Sequence, residues 1–347
     1  MKKNLAFLII LFLSSAVKAQ FNANKEPYLT RSLTKETIRN VYARTSGGSI
    51  QVTGASTGET RLEVYVTHNG NYVAVSKEEI KKRMDEDYDL SVSISNNKLS
   101  VIAKPKDRNM NWKRQLSVSY KIFVQQNVST DLATSGGSIN LSDLKGVQNF
   151  ATSGGSLRLE DLSGKINGKT SGGSIDVSDC SDNIDLQTSG GSIKAEDCSG
   201  RIKLATSGGS LSLIDLAGTI EAKTSGGSIH GDNIKGELIT HTSGGSIGLE
   251  DIACSLDAST SGGSIHVELV KLGKYVRLTN SSGNIDLEMP DKQGLDLKLH
   301  AQKISVSTLN NFSGRKDDNE ISGTLNGGGV PVTMKTGSGR IKLDFIN

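Results

Sequence analysis

Apolar and polar positions alternate in short stretches that return along the chain at a fixed interval. The hexapeptide at Thr170–Ile175, Thr-Ser-Gly-Gly-Ser-Ile, recurs with Ile or Leu as its last residue, and from Thr134 to Thr260 its copies keep one constant 18-residue spacing. The last residue of the motif is apolar, the next is polar or glycine, and the one after that is mostly apolar. This period of two is typical of a short strand with one buried face. The first apolar column contains Ile139, Leu157, Ile175, Ile193, Leu211, Ile229, Ile247 and Ile265.

A second alternating stretch lies half a period further on in the repeat, in the column Ile166, Ile184, Ile202, Ile220, Leu238 and Leu256. We therefore predict 18-residue rungs, each with two short strands and two glycine-rich turns. Parallel strands of successive rungs stack at roughly 4.8 Å, which makes the chain an all-β parallel β-helix or flattened β-solenoid. In this interpretation Gly172 and Gly173 let the chain turn a corner, and Ile175 enters the core.

The repeat is interrupted after its first copy, which begins at Thr45, and it loosens near the end of the chain. The interruption contains a predicted helix at Ser76–Asp87, with Ser76 as N-cap and Glu79 completing a capping box. Four strands are predicted around it, at Arg61–His68, Asp89–Ser95, Lys98–Lys104 and Ser117–Gln125. Both irregular parts are interpreted as caps, since an open rung is an unpaired strand edge. The predicted segments are a signal peptide (1–19), an N-terminal segment (20–40), a first rung with an inserted capping module (41–130), the regular solenoid (131–269) and irregular C-terminal rungs with a cap (270–347).

The leader and the charge balance narrow the functional classes. Lys2 and Lys3 precede the apolar run Leu5–Leu13, and small residues follow, as expected of a secretory signal peptide that is cleaved and leaves no membrane span. Without the three lysines of this segment, the chain carries 37 basic and 37 acidic residues, so a nucleic-acid partner has no electrostatic support. We expect an exported monomer located in the periplasm, on the cell surface or in the medium.

The repeated SGGSIxLxD and TSGGSI elements, together with the closing LNGGGVPVTMKTGSGRIKLDF, resemble the DUF4097 family of bacterial envelope proteins, labelled "putative adhesin". The resemblance covers about residues 40–346, and the closing element is its more specific part. It implies a right-handed parallel β-helix and an exported protein. It carries over no catalytic or binding residues.

Aspartates form the most suggestive column for chemistry. Asp161, Asp179, Asp197 and Asp215 share one position of successive rungs, with Asp143 before them and Asp251 after them in the same column. In one interpretation each aspartate ends its strand and bonds backbone N–H groups of the turn. In the other, the column is a Ca²⁺-binding ladder, although the spacing departs from the calcium-binding nonapeptide repeat. We favour the turn and expect no metal or other cofactor.

Two cysteines lie in an apolar, inward column. The other rungs carry leucine or isoleucine at that position, and Cys180 and Cys198 are consecutive in the column, so they should stack on adjacent rungs. Parallel side chains suit the dihedral angle of a disulfide poorly, so two buried thiols are expected. Cys254 replaces a turn glycine in another column.

These patterns favour a non-enzymatic structural or adhesive protein of the cell envelope, binding a surface polysaccharide or an envelope protein. Eight near-identical hydroxyl-bearing corners argue against a nucleophile, which needs one special environment. Two alternatives stay open: a carbohydrate-active β-helix enzyme (a polysaccharide lyase or hydrolase) that uses paired carboxylates, and an accessory component of envelope-stress signalling. The aromatic-rich residues 51–130 could supply binding anchors, or their aromatics could form the core of the cap.

Overall fold

A computed structural model describes residues 26–55, 60–68, 76–107, 114–290, 293–307 and 309–346. Within these residues the fold is all-β, with a single helix, which confirms the predicted class. The predicted signal peptide lies outside them. The N-terminal elements are β1 (Leu29–Ser32), β2 (Asn40–Arg44), β3 (Ile50–Ala55), β4 (Arg61–His68), α1 (Lys77–Asp87), β5 (Tyr88–Ser95), β6 (Lys98–Pro105), β7 (Leu116–Gln125) and β8 (Ser129–Thr134).

The regular part of the chain forms twelve strands among the described residues, and seven more follow at the C-terminal end. The first group is β9 (Ile139–Thr152), β10 (Leu157–Lys169), β11 (Ile175–Ser178), β12 (Ser181–Thr188), β13 (Ile193–Glu196), β14 (Ser199–Thr206), β15 (Leu211–Ile214), β16 (Ala217–Lys223), β17 (Ile229–Asp232), β18 (Lys235–His241), β19 (Ile247–Thr260) and β20 (Ile265–Asn280). The second group is β21 (Ile285–Pro290), β22 (Leu295–His300), β23 (Lys303–Val306), β24 (Phe312–Lys316), β25 (Glu320–Leu325), β26 (Val330–Thr336) and β27 (Arg340–Ile346).

Strands of the regular part pair in parallel with the equivalent strands of the neighbouring repeats. Leu157 pairs with Ile175, and Ile175 with Ile193, in the layer that directly follows the motif, which we call the first layer. Ile184 pairs with Ile202 in the layer that leads to the next motif, the second layer. The inward side chains of both layers belong to one continuous hydrophobic core. The alternating pattern in the sequence therefore becomes two parallel layers that enclose a thin core.

The described strands of residues 51–130 stack directly on the first rung. β3 pairs in parallel with β9 on one side and β7 on the other, and β2 likewise lies between β8 and β6. β4 and β5 are antiparallel to β7 and β6, and β1 is in turn antiparallel to β4, so antiparallel strands end both layers. This arrangement removes the open edge that a bare first rung would present.

The predicted elements of this N-terminal part are confirmed within one residue at either end. The Ser76 hydroxyl accepts a hydrogen bond from the backbone N–H of Glu79 at 3.2 Å and so caps α1. The Glu79 carboxylate pairs with Arg83 one turn further along the helix. The predicted capping box would instead direct the Glu79 carboxylate back to the backbone N–H of Ser76. The ion pair with Arg83, at the favourable spacing of four residues, engages the same carboxylate.

The C-terminal end is closed by strands that return from distant parts of the sequence. β27 lies between β21 and β23, and β26 lies between β20 and β22, all in parallel pairings. The hydroxyl of Thr336 donates to the carbonyl of Gly283 at 2.7 Å, so the late sequence TGSGRI forms a further corner of the stack. The antiparallel strands β25 and β24 finish the second layer.

Candidate functional site

The threonine of each repeated corner is engaged in backbone hydrogen bonds. Thr170 is buried, and its hydroxyl donates to the carbonyl of Gly155 in the preceding rung at 2.7 Å. The same oxygen accepts from the backbone N–H of Gly173 at 3.3 Å. The arrangement recurs from rung to rung, at Thr152, Thr188, Thr206, Thr224 and Thr242. These hydroxyls therefore tie adjacent rungs together, and none is available as an activated nucleophile.

The two glycines of the corner have different roles. A Cβ atom on Gly173 would lie 2.0 Å from the carbonyl oxygen of Gly155, a distance that real Cβ atoms do not show. A Cβ atom on Gly172 would lie 3.6 Å from the carbonyl oxygen of Ser153, in ordinary van der Waals contact. Neither glycine has a positive φ. Close approach of the rungs, and not an unusual backbone conformation, is therefore what requires glycine, and it does so only at the second position.

The aspartate column adopts the left-handed backbone conformation. Asp161, Asp179, Asp197 and Asp215 have φ values of 53°, 54°, 52° and 54°, and Asn233 continues the column at 49°. Aspartate and asparagine tolerate this conformation better than other residues with a side chain. The backbone of the turn thus accounts for the column. Among the described residues there is no group of three or more His, Cys, Asp or Glu side chains that could hold a metal ion.

Like charges accumulate along this column. Partial desolvation, followed by the negative charges of Asp215 and Asp179, raises the pKa of Asp197 above its ordinary value. Asn233 occupies the column position one rung after Asp215, and its amide donates a hydrogen bond to the Asp215 carboxylate. One neutral residue therefore interrupts the row of charges. The raised pKa of Asp197 therefore reflects its partial desolvation first and the like charges of the neighbouring rungs second.

A substitution series at Asp179 separates backbone conformation from carboxylate chemistry. We expect Asp179→Ala to lower the free energy of unfolding by about 1 kcal/mol, because alanine is strained in the left-handed region. Asp179→Asn and Asp179→Gly should change it by less than about half of that value, since both residues accept this conformation. Urea unfolding in calcium and in excess chelator measures both effects. Equal losses for the Asn and Ala variants, or a large calcium-dependent stabilisation of the wild type, would contradict the turn interpretation.

The structure places Cys180 and Cys198 at equivalent positions of adjacent rungs, each 1% exposed. All three cysteines are free thiols, and Cys254 lies buried opposite Gly236. The adjacent Cys198 thiol, together with burial, raises the pKa of Cys180, and burial raises the pKa of Cys254 to about 12. A buried thiol with a raised pKa is a poor nucleophile and packs as a small apolar residue.

Thiol titration tests this arrangement. We expect an aromatic disulfide reagent to label none of the three cysteines in the native protein within minutes and all three after unfolding in urea without reductant. Cys254→Ala should lower the unfolded count by one and leave the native count at zero. An unfolded count of one would show that Cys180 and Cys198 form a disulfide, which would contradict the structure.

The aromatic residues of 51–130 are mainly used within the fold. Tyr120 and Tyr88 are buried, and their hydroxyls donate to the carbonyls of Arg44 and Leu116 at 2.9 and 3.2 Å. Tyr65 and Phe123 are partly exposed, with cations over their rings. The two remaining aromatics of this region, Tyr72 and Trp112, lie outside the described residues. Two of the four described aromatics, Tyr88 and Tyr120, therefore belong to the core of the cap.

A polar cleft lies on the outer surface of the second layer, where β2, β6, β8 and β9 meet. Its lining includes Asn40, Tyr42, Lys98, Asp131 and Asn149, with the apolar Val147 at its edge. Arg44 stacks on the ring of Tyr42, 4.1 Å from its centroid, and pairs with Asp131 at 2.5 Å.

The sequence patterns described above did not indicate this cleft. One signal in the sequence could have indicated it: at Val147 and Gln148 the apolar and polar residues are in the reverse order. Val147 is exposed, and Gln148 is fully buried at the position where later rungs carry Ile or Leu. The Gln148 side chain accepts from Thr130 at 2.7 Å and donates to the carbonyl of Val128 at 2.9 Å. These bonds satisfy the buried amide and keep Val147 on the outside.

Comparison with known proteins adds a family match. The family model described as Toastrack DUF4097 matches residues 9–344. A solved "putative cell adhesion protein" from Clostridium sporogenes is 9% identical, with a TM-score of 0.20, and the match covers 92% of this chain and 100% of that chain. A solved "putative adhesin" from Bacteroides fragilis is 14% identical, with a TM-score of 0.22 and coverage of 92% and 96%. No curated protein matches the chain. The single helix of the described residues, α1, is not long and apolar enough to cross a membrane.

Proposed function

Since the chain belongs to the Toastrack DUF4097 family, we propose that it is an exported, non-enzymatic solenoid of the cell envelope with an adhesive or structural role. Its partner is a surface polysaccharide or an envelope protein. The observation that carries this proposal is the use of the repeated motif residues inside the fold, which leaves a long outer surface of polar side chains in regular rows. Such a surface suits contact with an extended partner.

The architecture that we propose for this role is a right-handed solenoid with 18-residue rungs. Parallel pairing of Ile175 with Ile193, and of Ile193 with Leu211, supports the rung length. The general preference of parallel crossover connections supports the handedness. Residues 1–19 act as the cleaved export signal in this proposal, and residues 41–130 and 270–347 flank the regular solenoid at 131–269 as its two capped ends.

The distribution of carboxylates supports a non-enzymatic role. Glycoside cleavage commonly uses two carboxyl groups that face one substrate from defined positions. The polar cleft is lined by a single carboxylate, Asp131, which is held by Arg44. The aspartates of the turn column lie one per rung in a row, and their regular spacing creates no special environment. We therefore propose that this surface binds its partner without modifying it.

Labelling of intact bacteria that express the full chain tests the proposal. We expect a membrane-impermeant amine reagent to label the protein on intact cells or after outer-membrane permeabilisation, and beads coated with purified protein to bind cells or cell-wall preparations. Beads coated with albumin serve as the control. Retention of the protein in the cytoplasm, or bead binding no greater than that of albumin, would contradict the proposed role.

A further inference from the structure

The polar cleft has the size of a small-ligand site. Its volume is about 410 Å³, within the range of roughly 300–1,000 Å³ that is usual for such sites. β2, β6, β8 and β9 contribute to its lining, and the paired positions Tyr42 with Asp131 and Asp131 with Asn149 cross it as one outward row. Stacking of the first rung on β8 therefore creates the cleft, and later rungs do not repeat its composition.

One positive charge in the cleft is left without a neutralising partner. Arg44 is paired with the Asp131 carboxylate at 2.5 Å and also donates to the Asp131 carbonyl at 2.6 Å. The ammonium of Lys98 lies 4.5 Å from the ring centroid of Tyr42, and no carboxylate of the described residues is within ion-pair distance of it. A ring face orients a cation but does not cancel its charge. The cleft therefore presents Lys98 to an anionic group.

Amide and apolar groups line the rest of the cleft, on the strands beside and beyond Tyr42. The side-chain oxygen of Asn149 accepts from Asn167 at 2.8 Å, so its NH₂ group is left to donate elsewhere. Asn40 is exposed at the opposite side of the lining. Val147, 41% exposed, gives the cleft an apolar edge. Convergent donors beside a small apolar surface are typical of sites that hold a hydroxyl-rich ligand with one charged group.

We propose that this cleft binds a uronic-acid unit of an acidic polysaccharide. The sugar carboxylate contacts the ammonium of Lys98, and hydroxyls of the same unit bond to Asn40 and Asp131. The neighbouring unit of the polysaccharide bonds to Asn149 and rests its apolar ring face on Val147, because these two residues lie on β9, three strands from Lys98. A nucleic acid does not fit, because a phosphate backbone is recognised by several cations in a row and the cleft offers one that is unpaired. This inference rests on the proposed adhesive role and names the chemical class of the partner.

Binding of defined trisaccharides to the purified full chain tests the inference. We expect tri-galacturonate to bind and the neutral galactotriose to bind at least about tenfold more weakly, since the neutral sugar cannot form the charged hydrogen bond to Lys98. Lys98→Gln should weaken tri-galacturonate binding by about tenfold. Lys203→Gln, at an exposed position of the same row three strands beyond Asn149, should leave the affinity unchanged. Calorimetry measures these affinities.

The outcomes separate this inference from the broader role. Absence of tri-galacturonate binding, equal affinity for both sugars, or equal affinity of the Lys98 and Lys203 variants would overturn the cleft assignment. If Lys98→Gln beads lose sugar binding but still bind cells as the wild type does, the adhesive role stands and the cleft is not the adhesive contact. If wild-type beads bind the acidic sugar but no cell material, the cleft assignment stands and the adhesive role falls.

Discussion

Gly173→Ala is expected to lower the free energy of unfolding by about 3 kcal/mol, whereas Gly172→Ala should lower it by less than about 1 kcal/mol. The two glycines are neighbours in the same corner and share a negative or extended φ, so alanine is allowed at both by its backbone conformation. The difference arises from contacts alone. A methyl group on Gly173 would lie 2.0 Å from the backbone carbonyl oxygen of Gly155 in the adjacent rung. A methyl group on Gly172 would lie 3.6 Å from the carbonyl oxygen of Ser153.

Backbone atoms cannot move aside as a flexible side chain can. To admit a methyl group at Gly173, two rungs would have to separate locally, which lengthens the hydrogen bonds from Thr170 and Thr188 that tie the corner to its neighbours. Urea unfolding of both variants, followed by circular dichroism, measures the difference. Equal losses of stability would show that glycine serves the corner through conformational freedom and would contradict the close-approach account.

Deletion of residues 340–347 is expected to unfold the C-terminal rungs and to make the protein aggregate. β27 pairs with β21 over six residues and with β23 over four, so its loss leaves two unpaired strand edges inside the first layer. It also removes Ile341 and Leu343, which are fully buried. Loss of a single side chain of this kind costs about 2–5 kcal/mol, and here two are lost together with the strand hydrogen bonds.

A double substitution in the same strand provides the control for this deletion. Lys342→Ser with Asp344→Ser alters the outward side of β27, where the two side chains pair with each other, and should change stability by less than about 1 kcal/mol. Thermal melts and gel filtration of the two variants measure the outcome. A soluble, monodisperse deletion variant that melts with the wild type would show that β27 is not required to close the stack.

The parts of this fold that the sequence predicts correctly are those determined by local, periodic patterns. Ile175, Cys180 and Cys198 repeat the environment of their columns, so one register determines many positions at once, and the structure places all three inward. The helix at 77–87 is likewise determined by neighbouring residues, with Ser76 as its cap.

Features that depend on distant pairing escaped prediction. The motif TGSGRI marks a corner before Ile341, but its partner Ile285 lies far back along the chain and off the 18-residue period, so the local pattern does not indicate which strand β27 joins. The polar cleft brings Tyr42 beside Asn149 only because β2 stacks on β8 and β8 on β9. For the aspartate column, the sequence indicated a turn, but the left-handed φ that explains Asp179 is a property of the folded backbone.

We propose that the regular part of the chain is a stack of interchangeable 18-residue rungs held in register by their corners, and excision of one rung tests this arrangement most directly. Deletion of residues 188–205 removes one full period and brings Gln187 next to Thr206, the equivalent of Thr188. Deletion of residues 188–196 removes half a period, so the corners that follow would lie against strands and against the opposite turn.

We expect the full-period deletion to keep the β-sheet circular dichroism spectrum and to melt cooperatively within a few degrees of the wild type. The half-period deletion, although shorter, should lose the cooperative transition. Unfolding of the longer deletion, or equal tolerance of both, would contradict the account.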